Sequence, residues 1–184
     1  MDDAELMQRI GRGDNRAYRT MVERYLNRIT VFAQRLLTNT AEAEDVAQET
    51  FLRLWTHAAH WTPQAQPKTW LYRVARNLCI DQLRKRQATE DSVDQQSNTD
   101  RPSNLLLRKV AAQKVEQALS ALPERQRAAI TLVHYEGMAA AEACEIMELS
   151  VEALESLLAR GRRTLREQLR ELAADGTPAS GARR

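Results

Sequence analysis

Cysteine is nearly absent from this sequence. The two that occur, Cys79 and Cys144, stand far apart with no CxxC or Cys/His spacing around either. That excludes a disulfide framework and a zinc site of the usual spacing. Both fall inside helical patterns and read as buried thiols in a reducing compartment. Glycine (6), proline (5) and aromatics (5%) are also scarce, too few for a sheet-rich fold with its turn residues and β-favouring rings. No uninterrupted apolar run approaches the ~18 residues of a membrane span. The start, Met1-Asp2-Asp3-Ala4-Glu5, is acidic where a signal peptide would be basic. The expectation is an all-α protein of the cytoplasm, with no cofactor motif in its sequence.

What is plentiful is Ala, Leu, Arg, Glu and Gln, all good helix formers. The net charge of +2 is small, but the charges are sorted along the chain. Residues 61–86 carry Lys68, Arg73, Arg76, Arg84, Lys85 and Arg86 against the one acid Asp81. Residues 87–104 reverse the sign, with Glu90, Asp91, Asp94 and Asp100 against Arg101 in a stretch of Gln, Ser, Asn and Thr. Arg160, Arg162, Arg163, Arg166 and Arg170 then face Glu167 alone. Two basic segments around an acidic one suggest two separate sites on a polyanion, although solvated helix faces can give the same runs. The acidic stretch has a single apolar residue of any size, Val93, and cannot support a core. It is expected to be a flexible acidic linker between two small helical domains. The division is 1–88 for the first domain, 89–104 for the linker, 105–174 for the second domain and 175–184 for a disordered tail.

In the first domain, Asp14 or Asn15 can start a helix to about Leu37, with Ala17, Met21, Tyr25, Ile29 and Phe32 at helical spacing. Asn39 or Thr40 caps the next. There Ala43, Val46, Ala47, Thr50, Leu54 and Ala58 form an inward stripe, while Asp45, Gln48, Glu49, Leu52 and Thr56 form an outward one. An outward stripe mixing acids, an amide and a leucine suits a protein partner, though a plain solvated face would also contain most of it.

A non-helical Trp61-Thr62-Pro63-Gln64-Ala65-Gln66 precedes Pro67, which can occupy a first helical turn. In the helix that follows, Leu71, Val74, Ala75 and Leu78 can face inward, leaving Arg73, Arg76, Asn77 and Arg84 towards the opposite side. Trp61, Trp70 and Tyr72 lie near the loop. Cations beside aromatic rings suit single-stranded nucleic acid, which offers phosphates to the first and unstacked bases to the second. Trp70 and Tyr72 are read as core rings in preference, whereas Trp61, outside the helix, suits the core and nucleic acid alike.

After the linker a helix is expected from Leu105 to about Leu119, and another from Pro123 to near Gly137, which can take a left-handed C′ position. A helix-turn-helix follows: Ala139 to Met147, a turn at Glu148 and Leu149, and Ser150 as N-cap of a long helix. Leu154, Leu157, Leu158, Leu165, Leu169 and Leu172 would face inward. The early outward residues Glu152, Ala153, Glu155, Ser156, Ala159 and Arg160 would reach base edges in the major groove, with Arg162, Arg163 and Arg166 placed for phosphates. An α-hairpin used only for packing would share this pattern.

Four segments together carry a resemblance. AEAEDVAQETFLRLW (Ala41 to Trp55), KTWLYRVARNLCIDQLRKR (Lys68 to Arg86), ALPERQRAAI (Ala121 to Ile130) and SVEALESLLARGRRTLREQL (Ser150 to Leu169) resemble, in that order, extracytoplasmic-function sigma factors of bacterial RNA polymerase. The resemblance covers nearly the whole chain. It implies an alternative sigma factor, not an enzyme, that binds core polymerase and reads −10 and −35 promoter elements. Asp45, Gln48, Glu49 and Leu52 would dock on the clamp helices of the β′ subunit. Trp61, Lys68, Arg73, Arg76, Asn77 and Arg84 would melt and read the −10 element as a single strand. Ser150, Glu152, Glu155, Ser156, Arg160, Arg162 and Arg163 would read the −35 element as duplex, and the linker would thread towards the active-site cleft. An anti-sigma factor, often membrane-bound in the family, is an expected partner.

Two departures from the family pattern stand out. Many members have Lys-Ser-Arg where this chain has Glu155-Ser156-Leu157, and a glycine where it has Glu148. Fewer phosphate contacts should weaken the second domain on DNA, although Glu155 could accept from a cytosine N4 amine and so keep some base preference. The loop at Pro63 to Gln66 also lacks the Gly-Asp and Phe common there. A self-sufficient helix-turn-helix regulator is the alternative, but it leaves the Arg- and Trp-rich helix and the outward stripe without a role. An enzyme would need more than Asp45 with Glu49 as paired carboxylates, or His57 with His60 as metal ligands. No third ligand or nucleophile-base pair accompanies them, and the two histidines read as surface residues at a helix end.

Overall fold

The computed structural model describes residues 1–62, 66–90 and 108–174. Among these the fold is all-α, with no strand. The first unit comprises α1 (Asp3–Gly11), α2 (Asn15–Leu37), α3 (Thr40–His57), a 3₁₀ turn (Ala58–His60) and α4 (Pro67–Glu90). The second comprises α5 (Arg108–Ser120), α6 (Glu124–Ile130), a π-helical stretch (Thr131–Tyr135), α7 (Ala140–Met147) and α8 (Val151–Ala174).

Side-chain caps set the helix starts. The Asp14 carboxylate accepts from the Arg16 and Ala17 N–H groups at 2.8 and 3.2 Å, satisfying donors that the first turn leaves unpaired. Its other oxygen holds Arg9, and the side-chain bond from Arg9, with the Ala17 N–H, keeps the Asp14 carboxyl below its ordinary range. Asn39 does the same for α3 through the Glu42 N–H at 3.1 Å. The inward stripe of α3 is buried as its periodicity predicts, and it packs on α2 and α4. The short helix α1 carries no sequence signal strong enough to mark it in advance. It buries Leu6, Met7 and Ile10 and ends at Gly11, where a Cβ would stand 2.5 Å from the Ala58 carbonyl oxygen. Close approach of α1 to the 3₁₀ turn therefore requires glycine at this position. Burial pushes the Cys79 thiol up to about 12, which leaves it an inert core group.

Of the linker expected at 89–104, residues 89–90 end α4 and the others lie outside the described residues, as do Pro63 to Ala65, residues 105–107 and the tail at 175–184. The sequence pattern treats the two units as independent, but they touch. Helix α2 meets α5 and α6, and α4 meets α7. Among the described residues no helix is long and apolar enough to cross a membrane.

Candidate nucleic-acid interface

The outward face of α3 is formed as expected. Asp45, Gln48, Leu52 and Thr56 are exposed, and Leu52 stands 61% open to solvent. Glu49 is half-buried and accepts from Arg53 Nε at 2.8 Å. Beside it Trp55, also partly open, packs edge-on against Tyr18 with ring centres 5.1 Å apart. Asp45, Glu49 and Arg53 form one wall of a groove whose other wall is Asp81, Gln82 and Lys85 of α4. An exposed leucine and tryptophan with a charged groove alongside have the composition of a docking patch, an apolar centre with a polar rim.

Helix α4 separates its basic residues into three environments. Asn77, Arg84 and Lys85 are exposed and Arg73 is half-exposed. Lys68 is half-buried, its Nζ 3.2 Å from Glu142 Oε1 of α7. Arg76, expected on the outward side, is instead buried, with 8% of its surface open. The second unit covers that side of α4, so a position facing away from one core lies against another. Arg76 Nη1 donates to Asn77 Oδ1 at 3.2 Å, and Nε has no protein partner. Desolvation lowers the Arg76 pKa, with Glu124 opposing it.

The three aromatics also part company. Tyr72 is fully buried, edge-on to Phe32 at 5.2 Å, and donates its hydroxyl to Glu136. Burial, then the bond to Glu136, raises its pKa far above the usual phenol range. Trp70 stacks face to face with His57, centroids 4.7 Å apart and planes within 6°, so one ring face is already taken. His57 is thus a packing residue, and of these two histidines His60 is the exposed one. Among the described residues no three His, Cys, Asp or Glu gather as a metal site. Trp61 is half-buried against the core.

The helix-turn-helix forms from α7 and α8. Ala139 precedes α7 in extended conformation and donates its N–H to Glu142 Oε2 at 3.1 Å. The turn residue Glu148 has φ +54 and ψ +51, the left-handed conformation that glycine adopts without strain. Ser150 Oγ then accepts from the Ala153 N–H at 3.3 Å and caps α8. Glu152, Glu155, Ser156, Arg160, Arg162 and Arg163 are all exposed. The Glu152 carboxyl is held below its ordinary range by its own backbone N–H and by Ser150. Arg160 Nη2 donates to Ser156 Oγ at 2.8 Å, so these two candidates act as a pair. Leu154 and Leu158 are buried beneath them. Gly161 lets α8 approach α6, since a Cβ there would lie 2.6 Å from Ile130 Cδ1.

Several residues that join the two units escape sequence reasoning. Arg127 Nη1 donates to the Leu36 carbonyl at the end of α2 at 2.6 Å, and Nη2 donates to Ser120 and Leu122 carbonyls at 2.6 and 2.9 Å. One guanidinium thereby satisfies orphan carbonyls at the ends of two helices. Glu136 is bound by Tyr72 and lies near Arg28 and Arg35. No local pattern marks these pairs, because their members come from different units. The one available signal was an acid at position 136 beside a glycine that ends a helix.

Comparison with known proteins defines the class. The family model for Sigma-70 region 2 matches residues 21–89, and that for Sigma-70 region 4 matches residues 112–165. The match to region 2 falls on the half that a self-sufficient helix-turn-helix regulator leaves unexplained. The chain is 28% identical to the ECF RNA polymerase sigma factor SigW of Bacillus subtilis, covering 90% of this chain and 96% of that one. It is 26% identical to the ECF RNA polymerase sigma-E factor of Escherichia coli, covering 94% and 96% respectively. In structure it is similar to CnrH, solved in complex with the cytosolic domain of CnrY, with a TM-score of 0.73, 25% identity and coverage of 92% and 97%. It is also similar to the sigma factor RpoE of Bartonella quintana, solved in complex with the anti-sigma factor NepR, with a TM-score of 0.70, 27% identity and coverage of 83% and 96%. The chain belongs to the extracytoplasmic-function RNA polymerase sigma factors. It is an alternative sigma factor and not an enzyme.

Proposed function

We propose that the chain binds core polymerase through the α3 face of Asp45, Gln48, Glu49 and Leu52. It reads the −10 strand with α4 and its preceding loop, and the −35 duplex with the start of α8. The observation that supports this division is the α3 stripe: Leu52 is exposed on a helix whose opposite face is wholly buried, and folding gives it no task. On the −10 side Trp61, Lys68, Arg73, Asn77 and Arg84 are the residues assigned, with Arg76 reaching DNA only once the second unit moves aside. On the −35 side Ser150 fixes the helix start, Glu152, Glu155 and Ser156 face base edges, and Arg160, Arg162 and Arg163 face phosphates. The working domains are 1–88 and 105–174 with the acidic stretch between them. The protein works in the cytoplasm, and an anti-sigma factor holds it inactive, as the complexes of its structural relatives suggest.

The test is the quadruple variant Asp45→Ala, Gln48→Ala, Glu49→Ala, Leu52→Ala. Surface substitutions usually change stability by within ~0.5 kcal/mol each, and the partly exposed Glu49–Arg53 pair adds little, so melting should move by only a few degrees. A residue at an interface centre contributes ~2 kcal/mol or more. Affinity for core polymerase should therefore fall by about 30-fold or more. Undiminished core affinity in titrations with labelled protein would remove α3 as the docking helix.

A further inference from the structure

Glu136 sits just beyond the π-helical stretch, positioned by its own N–H on the Thr131 carbonyl at 3.0 Å and by Gly137, whose φ is +65. Its side chain is only 6% exposed, and its side-chain partners come from the first unit. The Tyr72 hydroxyl donates to Oε2, Arg28 Nη2 lies 3.6 Å from the same oxygen, and Arg35 Nη1 lies 3.6 Å from Oε1. The Arg35 guanidinium also rests 4.3 Å above the Tyr135 ring. A second acid, Glu142, holds Lys68. Two carboxylates of the second unit thus lie against three cations and a phenol of the first, on the side of α4 that buries Arg76.

Two guanidiniums and a hydroxyl converging on one monoanion make an anion cradle, and guanidinium binds a phosphodiester with the same paired oxygens as a carboxylate. If the second unit lifts away, Arg28, Arg35 and Tyr72 are left with donors unpaired beside Lys68, and a single strand along α4 would bring phosphates to them. We propose that Arg28, Arg35 and Tyr72 form a site for a backbone phosphate of the −10 strand, and that Glu136 fills it in the closed chain. With Glu142 on Lys68, the second unit masks the −10 face of its own protein. This proposal rests on the assignment of α4 to the −10 strand.

The test uses the full chain and a fluorescein-labelled 20-nucleotide oligo(dT), since backbone contacts need no particular bases. Anisotropy is measured across a range of NaCl, and the radius of gyration by X-ray scattering. The variant Glu136→Gln, Glu142→Gln keeps an acceptor for Tyr72 while removing both charges. It should bind about tenfold tighter than the parent, as expected when about nine-tenths of the parent is closed, and it should have a larger radius of gyration. The variant Glu116→Gln, Glu171→Gln makes the same charge change at exposed sites and should stay within about twofold of the parent. Adding Arg28→Ala and Arg35→Ala to the opened chain should reverse the gain. It should also reduce the slope of log K against log salt by ~0.7, the contribution of the one single-strand phosphate no longer neutralised.

Equal gains from the two glutamine pairs, or an unchanged radius with unchanged affinity, would overturn the masking. A gain that survives removal of Arg28 and Arg35 would overturn the phosphate site. Circular dichroism checks the fold, and if the double variant loses helicity, Glu142→Gln alone, at a less buried position, carries the same comparison. Arg73→Ala with Arg84→Ala in the opened chain tests α4 separately. If that pair leaves binding unchanged, the assignment of α4 is wrong and the proposal falls with it.

Discussion

Single residues in this protein take up positions where side-chain chemistry and backbone geometry pull against each other. Glu148 adopts φ +54 in the turn of the helix-turn-helix, where a Cβ crowds the backbone. Glu148→Gly removes that crowding at the cost of a looser unfolded chain, and the difference should stabilise the protein by ~0.5–1 kcal/mol. A rise in denaturant midpoint at constant slope would show it, and a fall would mean that the glutamate side chain holds the turn. Gly11 is the opposite case. A methyl there meets the Ala58 carbonyl at 2.5 Å, and a backbone oxygen cannot swing aside as a side chain can. Gly11→Ala should cost ~2–3 kcal/mol despite the better helix propensity of alanine, lowering the melting temperature by several degrees. An unchanged melting temperature would show that α1 shifts freely.

At the scale of elements, the sequence was largely readable. Helix starts followed from Asp14, Asn39 and Ser150, and buried faces from apolar residues at three- and four-residue spacing, because both signals are local. The exposure of Glu152, Glu155, Ser156, Arg160, Arg162 and Arg163 on α8 follows from the same spacing. Helix α4 was half-legible. The pattern correctly put Leu71 and Ala75 inside, but it assigned one buried face where the helix has two. Arg76 lay on the second, and an arginine there reads from sequence as solvent-facing. For α8, Arg160→Ala with Arg163→Ala should weaken holoenzyme on a promoter it selects from a genomic library. The slope of affinity against salt should become shallower by ~0.9 for each duplex phosphate no longer neutralised. An unchanged slope would take these two arginines off the DNA.

The whole molecule is where local reasoning gives out. Tyr72 and Glu136 are 64 positions apart in sequence, and Lys68 and Glu142 are 74 apart. No periodicity or cap links such distant positions, and two basic runs around an acidic stretch suggested domains that ignore each other. Packing decides otherwise, because α2 and α4 each offer a second face on which the other unit rests. The order of the family motifs was legible and their mutual contact was not. The polar character of that contact also sets its strength. The partly exposed Lys68–Glu142 pair contributes little and weakens with salt, whereas the buried Glu136 side chain is held by Tyr72, Arg28 and Arg35.

Arg127 carries a consequence for hybrid proteins. Its guanidinium caps the last carbonyl of α5 in its own half and one at the end of α2 in the other half. A chimaera that joins residues 1–90 of this protein to the second half of a relative would keep both DNA-reading surfaces. It would leave the Leu36 carbonyl without its donor wherever the relative lacks an arginine at the matching place. Halves exchanged between relatives are therefore not neutral cassettes.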